Sequence, residues 1–238
     1  MANACPRIRD LGWAFYFAPD TMARAGELGL DGLRFYFLGR GGVLGDVDAA
    51  VVQSAFGYFE ASMIEKMWDS ARAVVAPHDA ARAFQECAAA FGRSRLADLS
   101  GLDAYCEAAD AVNRAADPVG LSLYAAWRAE PMADDAPARA MQLTNLLREL
   151  RGSAHLLAIR ASGLDALTAH CVRRPDDLAM FGWSAEQAVE VSDDDRARWA
   201  AAERLTDELL LPAYSVLDDA GRDALVAGLD QIETAVAA

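Results

Sequence analysis

One predicted helix concentrates the side chains best suited to acid–base or anion chemistry. It covers residues 138–162, and the helical period places Arg148 and His155 on one face with Gly152 between them. A guanidinium group binds carboxylates and phosphates as a planar fork, and an imidazole with an ordinary pKa exchanges a proton near neutral pH. One interpretation of this spacing is a pocket floor, where Arg148 and Arg151 bind a ligand and His155 is the catalytic acid or base. The alternative is a structural helix, in which the arginine pairs with an acid and the histidine is hydrogen-bonded between domains.

The other face of this helix is apolar and predicts a stripe that packs into the core. The stripe consists of Leu143, Leu146, Leu147, Leu150, Ala154 and Leu157. The polar face also carries Met141 and Ile159 at its two ends, so it is not the pattern of a face that simply meets solvent.

The first sixty residues are rich in aromatic side chains, most of which must form the N-terminal core. Tyr16, Tyr58 and Glu60 differ because each brings a polar or charged tip into this apolar neighbourhood. We therefore expect Tyr16 and Tyr58 to contact a ligand in an aromatic-lined pocket. Glu60 in such surroundings would have a raised pKa and could form an acid–base pair with His155. A surface position for Glu60 is the alternative.

The sequence predicts neither a metal site nor a bound cofactor. Its three histidines lie in different segments, and its four cysteines show no CxxC spacing. The glycine-rich stretch at residues 39–45 lacks the lysine of a phosphate-binding loop and predicts only a flexible turn.

Charge and hydropathy restrict the partners. The chain has 22 basic and 36 acidic residues, a net charge of −14, which argues against nucleic acid and against anionic membranes as partners. The sequence contains no run of about 18 apolar residues, so no membrane span is predicted. No signal peptide is visible at the N-terminus. We expect a cytoplasmic protein, for which a homodimer is compatible with the sequence.

The predicted elements are almost all helices. Aspartates that precede apolar periodic segments predict helix starts, and residues 33–38 are assigned to a helix despite their aromatic content. A long helix is predicted from residue 49 to residue 68, and residues 210–217 predict a small β-wing or an extended loop. The sequence Gly-Leu-Asp recurs at residues 29–31 and 163–165, where the glycine would end one helix and the aspartate begin the next, and residues 100–105 repeat part of this pattern.

Several segments, in this order along the chain, resemble an actinobacterial family of SalRD-like helix-turn-helix proteins. They are YFAPD (16–20), GRGGVLG (39–45), AFGYF (55–59), LLRELRGSAHLLAI (146–159), FGWS (181–184) and LDDAGRDALVAGLDQIETA (217–235). The resemblance implies an all-α, multi-helix bundle of two winged-helix-like halves. These are an aromatic-rich half at 1–130 and a degenerate winged helix at 131–238, or one continuous domain. Gly12 and Glu60 depart from the family pattern, which puts any function of those positions in doubt.

These observations lead to a small-molecule-binding protein with a pocket between its halves. The ligand would be apolar or aromatic and acidic, and the family's distribution suggests secondary metabolism. Whether the protein also transforms this ligand is left open. A ligand-responsive helix-turn-helix transcription regulator is the alternative, although the last helix carries one arginine among several acids. An inactive interaction module is the third interpretation.

Overall fold

The computed structural model describes residues 4–237, which contain twelve α-helices, three short 3-10 helices and no β-strand. The α-helices are α1 (Ala4–Leu11), α2 (Pro19–Glu27), α3 (Gly32–Gly41), α4 (Ala49–Phe56), α5 (Ala61–Arg72), α6 (Pro77–Leu96), α7 (Leu102–Ala115), α8 (Ser122–Arg128), α9 (Ala136–Ala161), α10 (Ala166–Arg173), α11 (Asp193–Tyr214) and α12 (Asp219–Ala237). The 3-10 helices cover Gly42–Leu44, Pro175–Phe181 and Ala185–Gln187. The predicted all-α class is confirmed. None of these helices is long and apolar enough to cross a membrane.

Helix α9 is the centre of the molecule. It packs against α1, α6, α7, α8 and α11, so it is covered on most of its circumference. Five of the six predicted stripe positions are buried, but Leu157 is 44% exposed, and the prediction is wrong there. Met141, which was assigned to the other face, is buried as well, and so is the polar Asn145. A helix surrounded by neighbours on most sides also buries polar side chains. These side chains therefore need hydrogen-bond partners inside the protein.

Most aromatic residues of the N-terminal region form one continuous core around α3, whereas Trp13 and Phe17 are exposed. Phe35, Tyr36 and Phe37 lie on this helix. They contact rings from the turn before α2 and from α4 and α6. The predicted helix at 33–38 is therefore confirmed. The glycine-rich stretch after it is not the flexible turn that was predicted, because α3 runs to Gly41 and a 3-10 helix follows. A Cβ at Gly42 would overlap the Pro77 carbonyl, so this glycine permits close packing of α6.

Two further predictions of local structure are wrong. The long helix predicted for residues 49–68 is interrupted at Gly57. The φ of 73° at Gly57 ends α4, and α5 begins four residues later. The β-wing predicted near 210–217 is absent, since α11 continues through Pro212 to Tyr214. Leu210, Ala213 and Tyr214 are buried in the core at helical spacing. Their burial outweighs the loss of one backbone hydrogen bond at the proline.

The repeated Gly-Leu-Asp sequence forms the same turn twice, as predicted. Gly29 and Gly163 have φ values of 73° and 77°, which residues with a side chain rarely adopt. Asp31 then caps α3 and Asp165 caps α10, each by accepting a hydrogen bond from a backbone N–H three residues later. Two helix-turn-helix units, α2–α3 and α9–α10, thus share one local construction.

The contact between α12 and α7 offers a test of this packing. A Cβ at Gly228 would overlap the ring of the buried Tyr105, so Gly228→Ala should lower the free energy of unfolding by about 1 to 3 kcal/mol. Gly26→Ala is the matched control, because nothing lies within 4 Å of its Cβ position. It should be neutral or stabilising by up to about 1 kcal/mol. Urea denaturation measures both, and equal effects would contradict the packing.

Candidate ligand-binding pocket

A cavity of about 200 Å³ lies beside the polar segment of α9. Residues from α1, α3, α4, α9, α10 and α11 line it, together with the α4–α5 connection and Phe181. Its charged and titratable lining residues are Arg9, Arg40, Arg148, Arg151, Arg173, Arg174, His155, His170 and Glu203. These six arginines form ion pairs with only three carboxylates, those of Asp10, Glu149 and Glu203, although the whole chain has a net charge of −14. The pocket therefore has a positive local potential.

A buried carboxylate behind the pocket holds two of these arginines. The Glu149 side chain is 1% exposed, and it accepts hydrogen bonds from Arg40 Nε and Nη2 at 2.8 and 2.7 Å and from Arg148 Nη1 at 2.8 Å. Burial alone would raise the pKa of this carboxyl. Arg40 and Arg148 outweigh that effect and hold the pKa of Glu149 at about 2, so the group is ionised at neutral pH.

Tyr16 belongs to this network and does not line the cavity. Its hydroxyl lies 2.9 Å from Asn145 Oδ1 and 3.0 Å from Glu149 Oε1, and it accepts a hydrogen bond from Arg148 Nη1. Tyr16 is 3% exposed, and burial raises its pKa. The tyrosine positions Arg148, and the ligand-binding role predicted for it is not supported by its location.

Several polar atoms of the lining residues have no hydrogen-bond partner among residues 4–237. They are Arg148 Nε, Arg151 Nε, Tyr58 Oη and His170 Nε2, and all four are buried. Leaving a buried donor unsatisfied costs about 1 to 3 kcal/mol, so a cluster of such atoms in one cavity indicates a site for a ligand that accepts hydrogen bonds.

His155 is buried at 6% exposure between the rings of Tyr58 and Trp199. Its Nδ1 lies 2.9 Å from Thr206 Oγ1, and its Nε2 lies 3.7 Å from Glu203 Oε1. Burial first, and then the charges of Arg151 and Arg9, lower the pKa of His155 to about 3. The expectation that it titrates near neutral pH is wrong, and the ring is neutral at pH 7.

The prediction for Glu60 is also wrong. Glu60 does not line the pocket; it caps α5, where its carboxylate accepts hydrogen bonds from the Ser62 and Met63 backbone N–H groups. These bonds, and above all the one from the Ser62 hydroxyl, lower its pKa. A carboxylate bound in this way is a weak base, so it cannot form the predicted acid–base pair with His155.

Of the six predicted site residues, the structure brings four together around the cavity, namely Tyr58, Arg148, Arg151 and His155. Sequence reasoning missed Glu203, which pairs with Arg151 at 2.7 Å, and Arg40, which was assigned to a turn. It also missed Arg173 and Arg174, which lie at the end of α10 and line the cavity. Two adjacent arginines in such an acidic chain were the signal that could have revealed them.

Removing the Glu149 charge should destabilise the fold strongly. In Glu149→Gln, Arg40 and Arg148 lose their buried counter-ion, and we expect a loss of about 3 to 5 kcal/mol in the free energy of unfolding. Glu27→Gln is the matched control, because that carboxylate pairs with Arg24 at the surface and should contribute less than about 1 kcal/mol. Similar urea midpoints for the two variants would refute the role of Glu149.

The lowered pKa of His155 predicts acid sensitivity. Between pH 6.5 and about 3 the unfolded chain binds a proton that folded His155 does not, so stability falls as the pH falls through this window. His155→Gln should reduce this slope by up to about 1.4 kcal/mol per pH unit. Urea denaturation of wild type and variant at pH 7 and pH 5 measures this slope. Above pH 7 the slopes of the two proteins should be nearly equal. An unchanged slope in the variant would show that His155 is not held neutral.

No curated protein and no solved structure matches this chain. The sequence profile of one family, described as a helix-turn-helix family, matches residues 3–238, which is nearly the whole chain. The twelve α-helices of residues 4–237, with their two Gly-Leu-Asp helix-turn-helix units, agree with that description. The chain therefore belongs to this helix-turn-helix family.

Proposed function

We propose that this protein binds a small organic anion with an aromatic or apolar part in the arginine-lined pocket. The observation that carries the proposal is the excess of positive charge: the six arginines of the lining pair with only three carboxylates, those of Asp10, Glu149 and Glu203, in a chain with a net charge of −14. Structural ion pairs alone would bring matching numbers of acids and bases together.

The pairing of the arginines supports this proposal. Arg40 and Arg148 share a single carboxylate, Glu149, so together they leave one positive charge beside the cavity. Within residues 4–237, neither Arg173 nor Arg174 forms an ion pair, and both lie at the outer part of the lining, where their side chains are exposed. A carboxylate, sulfonate or phosphate group would supply the missing counter-charge through charge-assisted hydrogen bonds.

The rings around the cavity favour a flat ligand. The rings of Phe59 and Phe181 stack with their centroids 4.5 Å apart, and the His170 ring centroid lies 4.4 Å from that of Phe181. Tyr58 and Trp199 also line the cavity. The volume of about 200 Å³ is below the roughly 300 to 1,000 Å³ of pockets for drug-sized molecules. A single-ring acid fits this size. Secondary metabolism, suggested by the resemblance to SalRD-like proteins, is the setting we propose.

A ligand-responsive transcription regulator is the second candidate function, favoured by the helix-turn-helix family. A recognition helix must present exposed donors to base edges. In this chain the second helices of the two units, α3 and α10, direct much of their surface into the core. Another surface would have to contact DNA, and an electrophoretic shift with neighbouring promoter DNA tests this candidate.

Matched probes test the first proposal. Benzoate and phenyl phosphate should bind in calorimetric titrations, whereas benzamide, which has the shape of benzoate without its charge, should not. The double variant R173Q/R174Q should weaken benzoate binding at least about tenfold, because the loss of even one charge-assisted contact costs roughly 1.5 kcal/mol or more. R82Q, at an exposed arginine outside the pocket, should leave it unchanged. Absence of anion binding, or equal binding of benzamide, would refute the proposal.

A further inference from the structure

The hydrogen bonds of Thr206 determine which nitrogen of His155 carries a proton. Thr206 Oγ1 lies 2.7 Å from the Ala202 carbonyl oxygen, one helical turn earlier on α11. A hydroxyl has one proton, and a carbonyl can only accept, so Thr206 donates its proton to Ala202. The remaining contact of Thr206 Oγ1, with His155 Nδ1 at 2.9 Å, must then be one in which the imidazole donates.

A neutral imidazole has a single N–H group. Because His155 is neutral at pH 7 and its proton is on Nδ1, Nε2 carries a lone pair. Thr206, which is fully buried, therefore fixes one tautomer of the ring.

The unprotonated Nε2 faces a second acceptor. Glu203 Oε1 lies 3.7 Å away, while Glu203 Oε2 is bound to Arg151 Nη2 at 2.7 Å. Two acceptors at this separation repel each other unless a donor group interacts with both. The remaining polar lining of the cavity consists mainly of donors, so these two atoms form a distinct accepting corner.

We propose that His155 Nε2 and Glu203 Oε1 together accept a hydrogen bond from a hydroxyl or N–H group of the ligand. The ligand class is then a hydroxylated or amino-substituted aromatic acid, whose anionic group lies among the arginines. This inference rests on the proposed function, since the arginines hold the anionic group. Thr206 is a positioning residue that acts through His155.

The tautomer can be measured directly by ¹⁵N NMR on histidine-labelled protein. We expect His155 to show a protonated Nδ1 and an unprotonated Nε2 in the unliganded wild type. In Thr206→Val the acceptor of Nδ1–H is replaced by a methyl group of similar size, and the proton should move to Nε2, toward Glu203. A wild-type spectrum with a protonated Nε2 would overturn the inference, whatever the variant does.

Ligand pairs test the accepting corner itself. We expect 3-hydroxybenzoate or 4-hydroxybenzoate to bind wild type roughly tenfold more tightly than benzoate, and the matching methoxybenzoate, which has no proton to donate, to show no gain. The gain should shrink in Thr206→Val. It should also disappear in Glu203→Gln, a half-exposed position where the amide can itself donate to His155 Nε2. This second variant keeps the test decisive if Thr206→Val does not fold.

The outcomes separate the two proposals. Equal binding of benzoate and both hydroxybenzoates would overturn the accepting corner and leave the anion pocket standing. Failure of all three to bind would overturn the anion pocket, and the inference with it.

Discussion

The ionised Glu149 at the centre of α9 is the constraint on which the pocket depends. A charge this deeply buried destabilises a fold unless it is paired and hydrogen-bonded on all sides. Here Arg40 from α3, Arg148 from α9 itself and the Tyr16 hydroxyl from the turn before α2 satisfy it. Three separate segments are thereby fixed relative to one another. The side chain of Arg148 is held at the cavity by this network rather than by exposed contacts.

The stoichiometry of this network also explains the electrostatics of the pocket. One carboxylate neutralises one of two guanidinium groups, so a positive charge remains in surroundings that exclude much of the solvent. The net charge of −14 does not cancel it, because charges at the surface are screened over about 8 to 10 Å by physiological salt. Overall charge therefore predicts the behaviour of the surface toward DNA or membranes, whereas the pocket is governed by its local arginines.

The sequence predicted what depends on local pattern and missed what depends on pairing across the chain. The period of α9 placed Arg148 and His155 together, and the Gly-Leu-Asp turns were recognised because glycine and aspartate have specific backbone roles. The helical continuation through Pro212 was missed, since the burial of its neighbours in the core overrides the local preference. Glu60 was misassigned because an N-cap and a buried base cannot be distinguished by composition alone.

His155 shows the same limit at the level of a single proton. Its position on α9 was predictable, but its chemistry is set by Thr206 and Glu203, about fifty residues later on α11, and by the arginines around it. Burial beside positive charges keeps the ring neutral, and the hydroxyl of Thr206 selects the nitrogen that donates. A histidine that a sequence presents as a proton donor or acceptor near pH 7 thus becomes a neutral acceptor at one atom. In this helix-turn-helix protein, α11 supplies that specificity by packing against the C-terminal half of α9, where Arg151 and His155 contact it.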